Sequence, residues 1–396
     1  MKHVPLPVHV ESRFAPTALM LGNVITGCSV LAPAGMLVEL SSGLDVSIRT
    51  AGLLITFGAI ILCVGSPVTA WLTSRIERRT LLTATIAVLA LTNFASAFAP
   101  DYASLLAIRL VMLAVGALYT PQAAGTAALI VAEEKRGSTI AYVFLGWSLA
   151  AAVGLPAITF IASRYGWQAV YGAIGAMSCL SFLLLAWRLP RGLMGAPVDL
   201  KTWAAIGRNP VILLLLLITT LQMSGQFVVF TYMGPLLARL TGAGPDPIAL
   251  VFASYGVCGV IGTAIATRIV DSWGAWKTSM LFTSVLLAGL SGWALSAGIY
   301  PLMAVSVAIW GIGFASTNSM QQVRLVGAAP ALASASVSLN TSVLYIGQAI
   351  GSAIGGFLYA RDLLYASGYV AMTFVALAVT IVILTRPTKV QGSAPR

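Results

Sequence analysis

The chain has 396 residues, 59% of them hydrophobic and 8% charged, and its mean hydropathy is +0.94. A soluble protein carries about a quarter charged residues, so the composition excludes a soluble fold. The formal charge of +11 does not point to nucleic acid either, because the basic residues are scattered between apolar runs and do not cluster on a polar surface.

The opening residues, MKHVPLPVHVESR, are polar. The apolar stretch after them is long enough to span a bilayer and has no convincing cleavage site, so no cleavable leader is expected. A charge at the centre of a span costs roughly 2.5–3.5 kcal/mol, so the gaps between charges count the spans. Uncharged runs cover residues 14–38, 50–74, 80–100, 110–132, 137–163, 165–187, 209–238, 247–267, 278–323, 325–360 and 363–385. The ninth run is too long for one helix and holds the turn signal Ser-Ala-Gly-Ile-Tyr-Pro at 296–301, so it divides. Twelve helices are expected, and an even number puts both termini on one side.

Positive charge marks the cytoplasmic side. With the termini cytoplasmic, seventeen basic residues fall inside and four (Arg49, Arg164, Arg239, Arg361) outside, while Arg109 lies within the fourth span. Six acids fall inside and five outside, so the whole basic excess is explained by topology. Cys28, Cys63, Cys179 and Cys258 sit in apolar stretches without CxxC spacing and read as small packing residues.

An internal repeat divides the chain. Gly65, Ser74, Glu77 and Thr80 after the second span align with Gly262, Asp271, Gly274 and Lys277 after the eighth at one offset of 197 residues, which also pairs Gly154 with Gly351. The expected fold is therefore an all-α membrane protein of twelve transmembrane helices in two pseudo-symmetric six-helix bundles, the architecture of a secondary transporter. The expected boundaries are residues 1–187 and 210–386 for the bundles, 188–209 for a cytoplasmic linker and 387–396 for a cytoplasmic tail.

At these residues the chain resembles the major facilitator superfamily, most closely its twelve-helix drug:proton antiporter branch with arabinose-efflux-permease-like and sugar-efflux-like exporters. Gly65, Arg75, Arg78 and Arg79 match the family's loop between the second and third helices, which gates the inner mouth. Ser74 and Glu77 depart from its Asp and Gly, whereas the second copy keeps both as Asp271 and Gly274. Arg109, with Gly116 and the Ala-Leu-Tyr-Thr-Pro-Gln after it, is similar to the motif of the fourth helix. Gly146 to Pro156 resembles the antiporter motif of the fifth, with Leu155 between Gly154 and Pro156. The resemblance implies efflux of a small solute in exchange for protons, drug resistance among the family's roles, and a place in a bacterial inner membrane as a multi-pass protein.

Arg109 is the one charge within a span, roughly 12 Å along the helix from Asp101. An arginine keeps its proton, so it biases a proton site or a substrate without carrying the proton; equally, it can be held by backbone carbonyls. The acids all fall at span ends or in loops, which leaves Glu39, Asp45 and Asp271 as candidate proton carriers, or the substrate itself. Candidate cavity residues are Asn23 and Thr26 in the first span, Tyr119 and Gln122 in the fourth, Trp147 in the fifth, Gln222 and Gln226 in the seventh, Asn318 in the tenth, and Asn340, Tyr345 and Gln348 in the eleventh. Each can bind a neutral or amphiphilic solute or join helices. The glycine rows at 347, 351 and 355 and at 256, 259 and 262 read as packing surfaces.

Enzymatic readings fare poorly: the chain has no GxxxxGK[ST] loop, no HExxH and no intramembrane acid pair. No cofactor, metal or nucleic acid is expected, and the expected partners are a small-molecule substrate, protons and the bilayer around a monomer. A proton-independent facilitator or importer and a non-transporting sensor are the alternatives.

Overall fold

A computed structural model describes residues 14–73, 75–131, 136–194, 206–328 and 333–386. In chain order the helices are α1 (Ala15–Gly35), α2 (Leu37–Gly43), α3 (Ile48–Leu72), α4 (Arg78–Ala97), α5 (Tyr102–Gly116), α6 (Tyr119–Leu129), α7 (Arg136–Leu149), α8 (Leu155–Tyr165), α9 (Trp167–Arg188), α10 (Pro210–Phe230), α11 (Met233–Thr241), α12 (Pro245–Trp273), α13 (Ala275–Leu295), α14 (Tyr300–Ala328), α15 (Ala333–Ala360) and α16 (Leu364–Leu384). They make twelve helices long and apolar enough to cross a membrane, the fourth built from α5 and α6 and the fifth from α7, a π-helical turn and α8. Spans six and seven bracket the linker, and the face carrying it is called here the linker face. The α1–α3 and α10–α12 connections mark the opposite face.

Local chemistry sets the ends. Asp101 accepts from the Ser104 N–H at 2.7 Å and starts α5. Asn209 accepts from the N–H groups of Val211 and Ile212 ahead of Pro210, whose missing donor costs nothing at a helix start. The tight joints between α8 and α9 and between α12 and α13 turn on Gly166 (φ +83°) and Gly274 (φ +82°), a backbone region open to glycine. Charge-counting ended two spans too early: α12 runs past Arg268 and Asp271, and α14 runs past Arg324. Their last turns reach the linker face, where a charge need not sit in hydrocarbon.

Two prolines bend the first half. Proline lacks the N–H that would bond four residues back, and its ring pushes against that carbonyl. Four residues before Pro121 is Ala117, where α5 gives way to α6; four before Pro156 is Ala152, the centre of the π-helical turn Ala150–Gly154.

The halves meet along two seams, the second span against the eleventh and the fifth against the eighth. A methyl at Gly256 would collide with the backbone of Ala151 and Ala152, so the eighth span lies directly on the π-helical turn. Within the second half, methyls at Gly347, Gly351 and Gly355 would overlap the carbonyls of Thr220, Ser224 and Val228, which makes this row the bed of the seventh span.

Candidate functional site

Arg109 lies in the second turn of α5 and is 1% exposed. Its guanidinium donates from Nε to the Leu54 carbonyl at 3.1 Å, from one terminal nitrogen to Ser29 at 2.9 Å and from the other to Val30 at 2.7 Å. The Ser29 carbonyl is available because its helical partner four residues on is Pro33, which has no N–H. Arg109 thus ties the first, second and fourth spans together through neutral acceptors.

The polar residues of the first half form a second network. Asn23 donates to the Val143 carbonyl at 2.9 Å and accepts from the Thr120 hydroxyl at 2.8 Å, and the Trp147 indole donates to Thr120 at 3.0 Å. Thr120 joins all three spans and was missed in the sequence, where a threonine next to a proline carries no distinctive signal. Tyr119 donates to the Leu19 carbonyl at 3.2 Å, and Thr26 bonds back to Gly22 of its own helix. Gly154 ends the π-helical turn against the Cys28 sulfur, and Pro156 stands at the start of α8.

In the second half the amides are paired across helices. Gln222 donates to Thr283 at 2.9 Å, Gln226 accepts from the Trp310 indole at 2.9 Å, and Asn340 accepts from Thr219 at 2.7 Å while donating to Asn318 at 3.1 Å. Gln222 and Gln226 do face inward, as their spacing required. Their partners Thr283 and Trp310 depend on helix rotation and are not readable from the chain. Tyr345 packs at the seam between halves with Val30, Ala59, Leu62 and Leu113 of the first half, and Trp147 lies against the same cluster. Gln348 is buried one turn further along α15.

The loop between the second and third spans is bound to its own half. Arg78 donates to the Gln122 side chain and Arg79 to the Ala186 carbonyl, while Arg75 is exposed. Glu77, where the resemblance calls for glycine, accepts from the Thr80 hydroxyl at 2.7 Å and from the Gly192 N–H at 2.6 Å. These two donors, the Thr80 hydroxyl foremost, hold its carboxyl below the usual range. Asp271 lies in the last turn of α12, and its side chain is outside the described residues, as is Ser74. Of the candidate proton carriers, Glu39 is half-buried on α2, and burial pushes its carboxyl up.

Three contacts between described residues join the halves toward the opposite face. Thr56 donates to Ser352 at 3.0 Å between the second and eleventh spans, and Arg164 pairs with Asp246 at 3.8 Å between the fifth and eighth. Tyr232, between α10 and α11, puts its hydroxyl end into a notch between Gly52 and Gly356, where a methyl on either glycine would overlap it. An apolar groove of about 380 Å³ runs between the second and eleventh spans beside Thr56, its walls including Ile60, Cys63, Val64 and Ile350.

A pair of six-helix halves, closed at one face around inward polar networks, matches what the family comparison finds. The model of the Major Facilitator Superfamily matches residues 19–351. The chain belongs to the major facilitator superfamily. It is 31% identical over 353 residues to the inner membrane transport protein YdhP of Escherichia coli (strain K12), covering 88% of this chain and 89% of the relative. A probable sugar efflux transporter of Mannheimia succiniciproducens is 25% identical over 360 residues, with 89% of this chain and 88% of that one covered. Among solved structures, a bacterial homolog to the human lysosomal transporter Spinster, inward-facing and occupied, superposes with a TM-score of 0.75 at 16% identity over 94% of this chain and 96% of that one. The likeness to that structure establishes the major facilitator fold, and the relatives place this chain among multi-pass inner-membrane transport proteins.

Proposed function

We propose that this major facilitator protein exports a small amphiphilic solute, of drug, sugar or nucleoside type, by alternating access. The observation that carries the reading is a set of contacts that joins the two halves on the opposite-face side. The Thr56–Ser352 bond, the Arg164–Asp246 pair and the Tyr232 notch all lie on the opposite-face side and form a closed outer gate. The moving bodies are residues 1–187 and 210–386, joined by the linker 188–209, with the linker face and both termini in the cytoplasm and the protein acting as a monomer. The solute sits at the seam near Trp147, Tyr345 and Gln348, where side chains of both halves meet. The sugar efflux relatives support export.

Proton exchange is the coupling that the resemblance implies. A proton-independent facilitator is the second reading, favoured by one observation: no Asp, Glu or His lies between the first and last turns of the twelve spans. Efflux from energised inverted vesicles, with and without an uncoupler, separates the two. Exchange is lost when the uncoupler is added, and facilitated movement continues. A purified chain that moves no solute in proteoliposomes would be a sensor and would end the transport reading.

A further inference from the structure

The buried charged residues among those described are three arginines, Arg78, Arg109 and Arg324. All their described hydrogen-bond partners are neutral. Arg109 has three carbonyls, Arg78 has the Gln122 amide, and Arg324 has the Ser279 hydroxyl and the carbonyl and hydroxyl of Thr385. Arg78 is 7% exposed, and its Nε is buried without a hydrogen-bond partner. Arg78 and Arg324 come from opposite halves and both lie at the linker-face ends of their helices; Arg109 lies deeper, toward the other face.

From this arrangement we propose that the solute is a small aromatic organic anion, a sulfonate or carboxylate, expelled by the membrane potential. The proposal rests on the export reading above and deepens it; it does not need proton exchange. Three buried positive charges whose described partners are neutral repel a cation and attract an anion, and the attraction persists where water is scarce. The basic excess of the linker-face loops adds to the same field at the entrance. A polyol would need many free donors and acceptors, whereas the amides of Asn23, Gln222, Gln226 and Asn340 already serve one another's helices. What the seam offers instead is aromatic surface from both halves, Trp147 and Tyr345.

The driving force follows from the charge. An inside-negative potential pushes an anion outward, and 100 mV acting on one elementary charge is about 2.3 kcal/mol, an equilibrium gradient of about 50-fold. No titratable carrier in the membrane is required, which fits spans whose interiors hold no acid and no histidine.

The test uses the full chain in proteoliposomes with a potassium-diffusion potential and three radiolabelled probes of similar size: p-toluenesulfonate, trimethylphenylammonium and phenyl glucoside. The expected result is that the sulfonate redistributes toward the positive side, approaching about 50-fold per 100 mV, and that a pH gradient without potential has no effect. Movement of the ammonium or the glucoside without the sulfonate overturns the anion inference while leaving transport intact. Sulfonate movement that follows the pH gradient and ignores the potential overturns the driving force. No movement of any probe ends the export reading itself. Arg78→Gln and Arg324→Gln are expected to slow sulfonate movement about tenfold each, equivalent to roughly 1.4 kcal/mol in a field term, while Arg78→Lys and Arg324→Lys restore most of it. Equal loss in the Gln and Lys variants would show that the arginines act only in packing and would overturn the electrostatic argument.

Discussion

The two halves share a topology and differ in how they hold it. In the first half, Pro121 and Pro156 break the fourth and fifth spans, and a buried arginine gathers three carbonyls from two other helices. At the offset of 197 residues the second half has Asn318 and Ala353, and its α14 and α15 run unbroken for 29 and 28 residues. Its core is aromatic. Phe230 stands 5.3 Å from Phe227, 5.9 Å from Phe252 and 5.1 Å from Tyr255, and Tyr255 stands 5.2 Å from both Trp310 and Phe314, ring centre to ring centre. The first half is broken at two spans and tied by an arginine deep in the fourth, whereas the second runs unbroken at the matching positions and packs on aromatic rings. A repeat therefore conserves the path of the chain while leaving each copy free to choose its own cohesion, because helix packing asks only that facing surfaces fit.

Several substitutions would break or sharpen this contrast. Trp310→Ala removes a fully buried ring of the aromatic cluster together with the bond to Gln226. A loss of about 3–5 kcal/mol is expected, read as a fall in the melting temperature of the detergent-solubilised protein. Ala353→Pro gives the eleventh span the break that Pro156 gives the fifth. It should cost about 3 kcal/mol or more, and a neutral effect would show that the second half tolerates the same bend. Arg109→Ala deletes three bonds worth roughly 0.6–1.7 kcal/mol each in a membrane, so destabilisation of about 2–5 kcal/mol and lost transport are expected with the protein still inserted. Near-normal flux in vesicles would mean that the first half does not depend on its charge. Lysine should not replace it, since one ammonium cannot reach three carbonyls held in a fork.

Contacts between the halves should matter less to stability and more to the balance of conformations. Thr56→Val removes the bond to Ser352, about 0.6 kcal/mol. The expected readout is faster thiol labelling of a cysteine placed on the opposite face, with little change in melting temperature. Arg164→Gln should do least. Its pair with Asp246 is long and exposed, so an effect within about 1 kcal/mol that disappears in high salt is expected; a larger one would mark the fifth and eighth spans as the main outer clamp.

Much of this was visible in the chain. The gaps between charges counted the twelve spans; their ends fell furthest short at Arg268, Asp271 and Arg324, and other helices take in Arg49, Arg78 and Lys277 in their first turns, because a helix outruns the hydrocarbon and keeps its charges in its end turns. The glycine row of α15 announced a close helix contact through its spacing. The candidate site was less legible. Polar residues inside spans could be named, yet whether Gln226 faces a solute or Trp310, or whether Asn340 is free or bonded to Asn318 and Thr219, depends on rotations of a few tens of degrees between helices far apart in sequence. Ser29 is the sharpest case: its carbonyl becomes an acceptor because of Pro33, a local fact, but its donor comes from Arg109, eighty residues away.

By itself, the sequence determined the solvent of this protein, the number of its spans, the repeat that halves it and the face on which its positive charge collects. Those properties are sums over local composition, and the bilayer reads them residue by residue. The tertiary structure decided which polar groups are spent on cohesion, where the halves touch and that the buried charges among the described residues are all positive with neutral partners. Hydrogen bonds are short and directional, so those outcomes exist only once the helices have taken their rotations against one another.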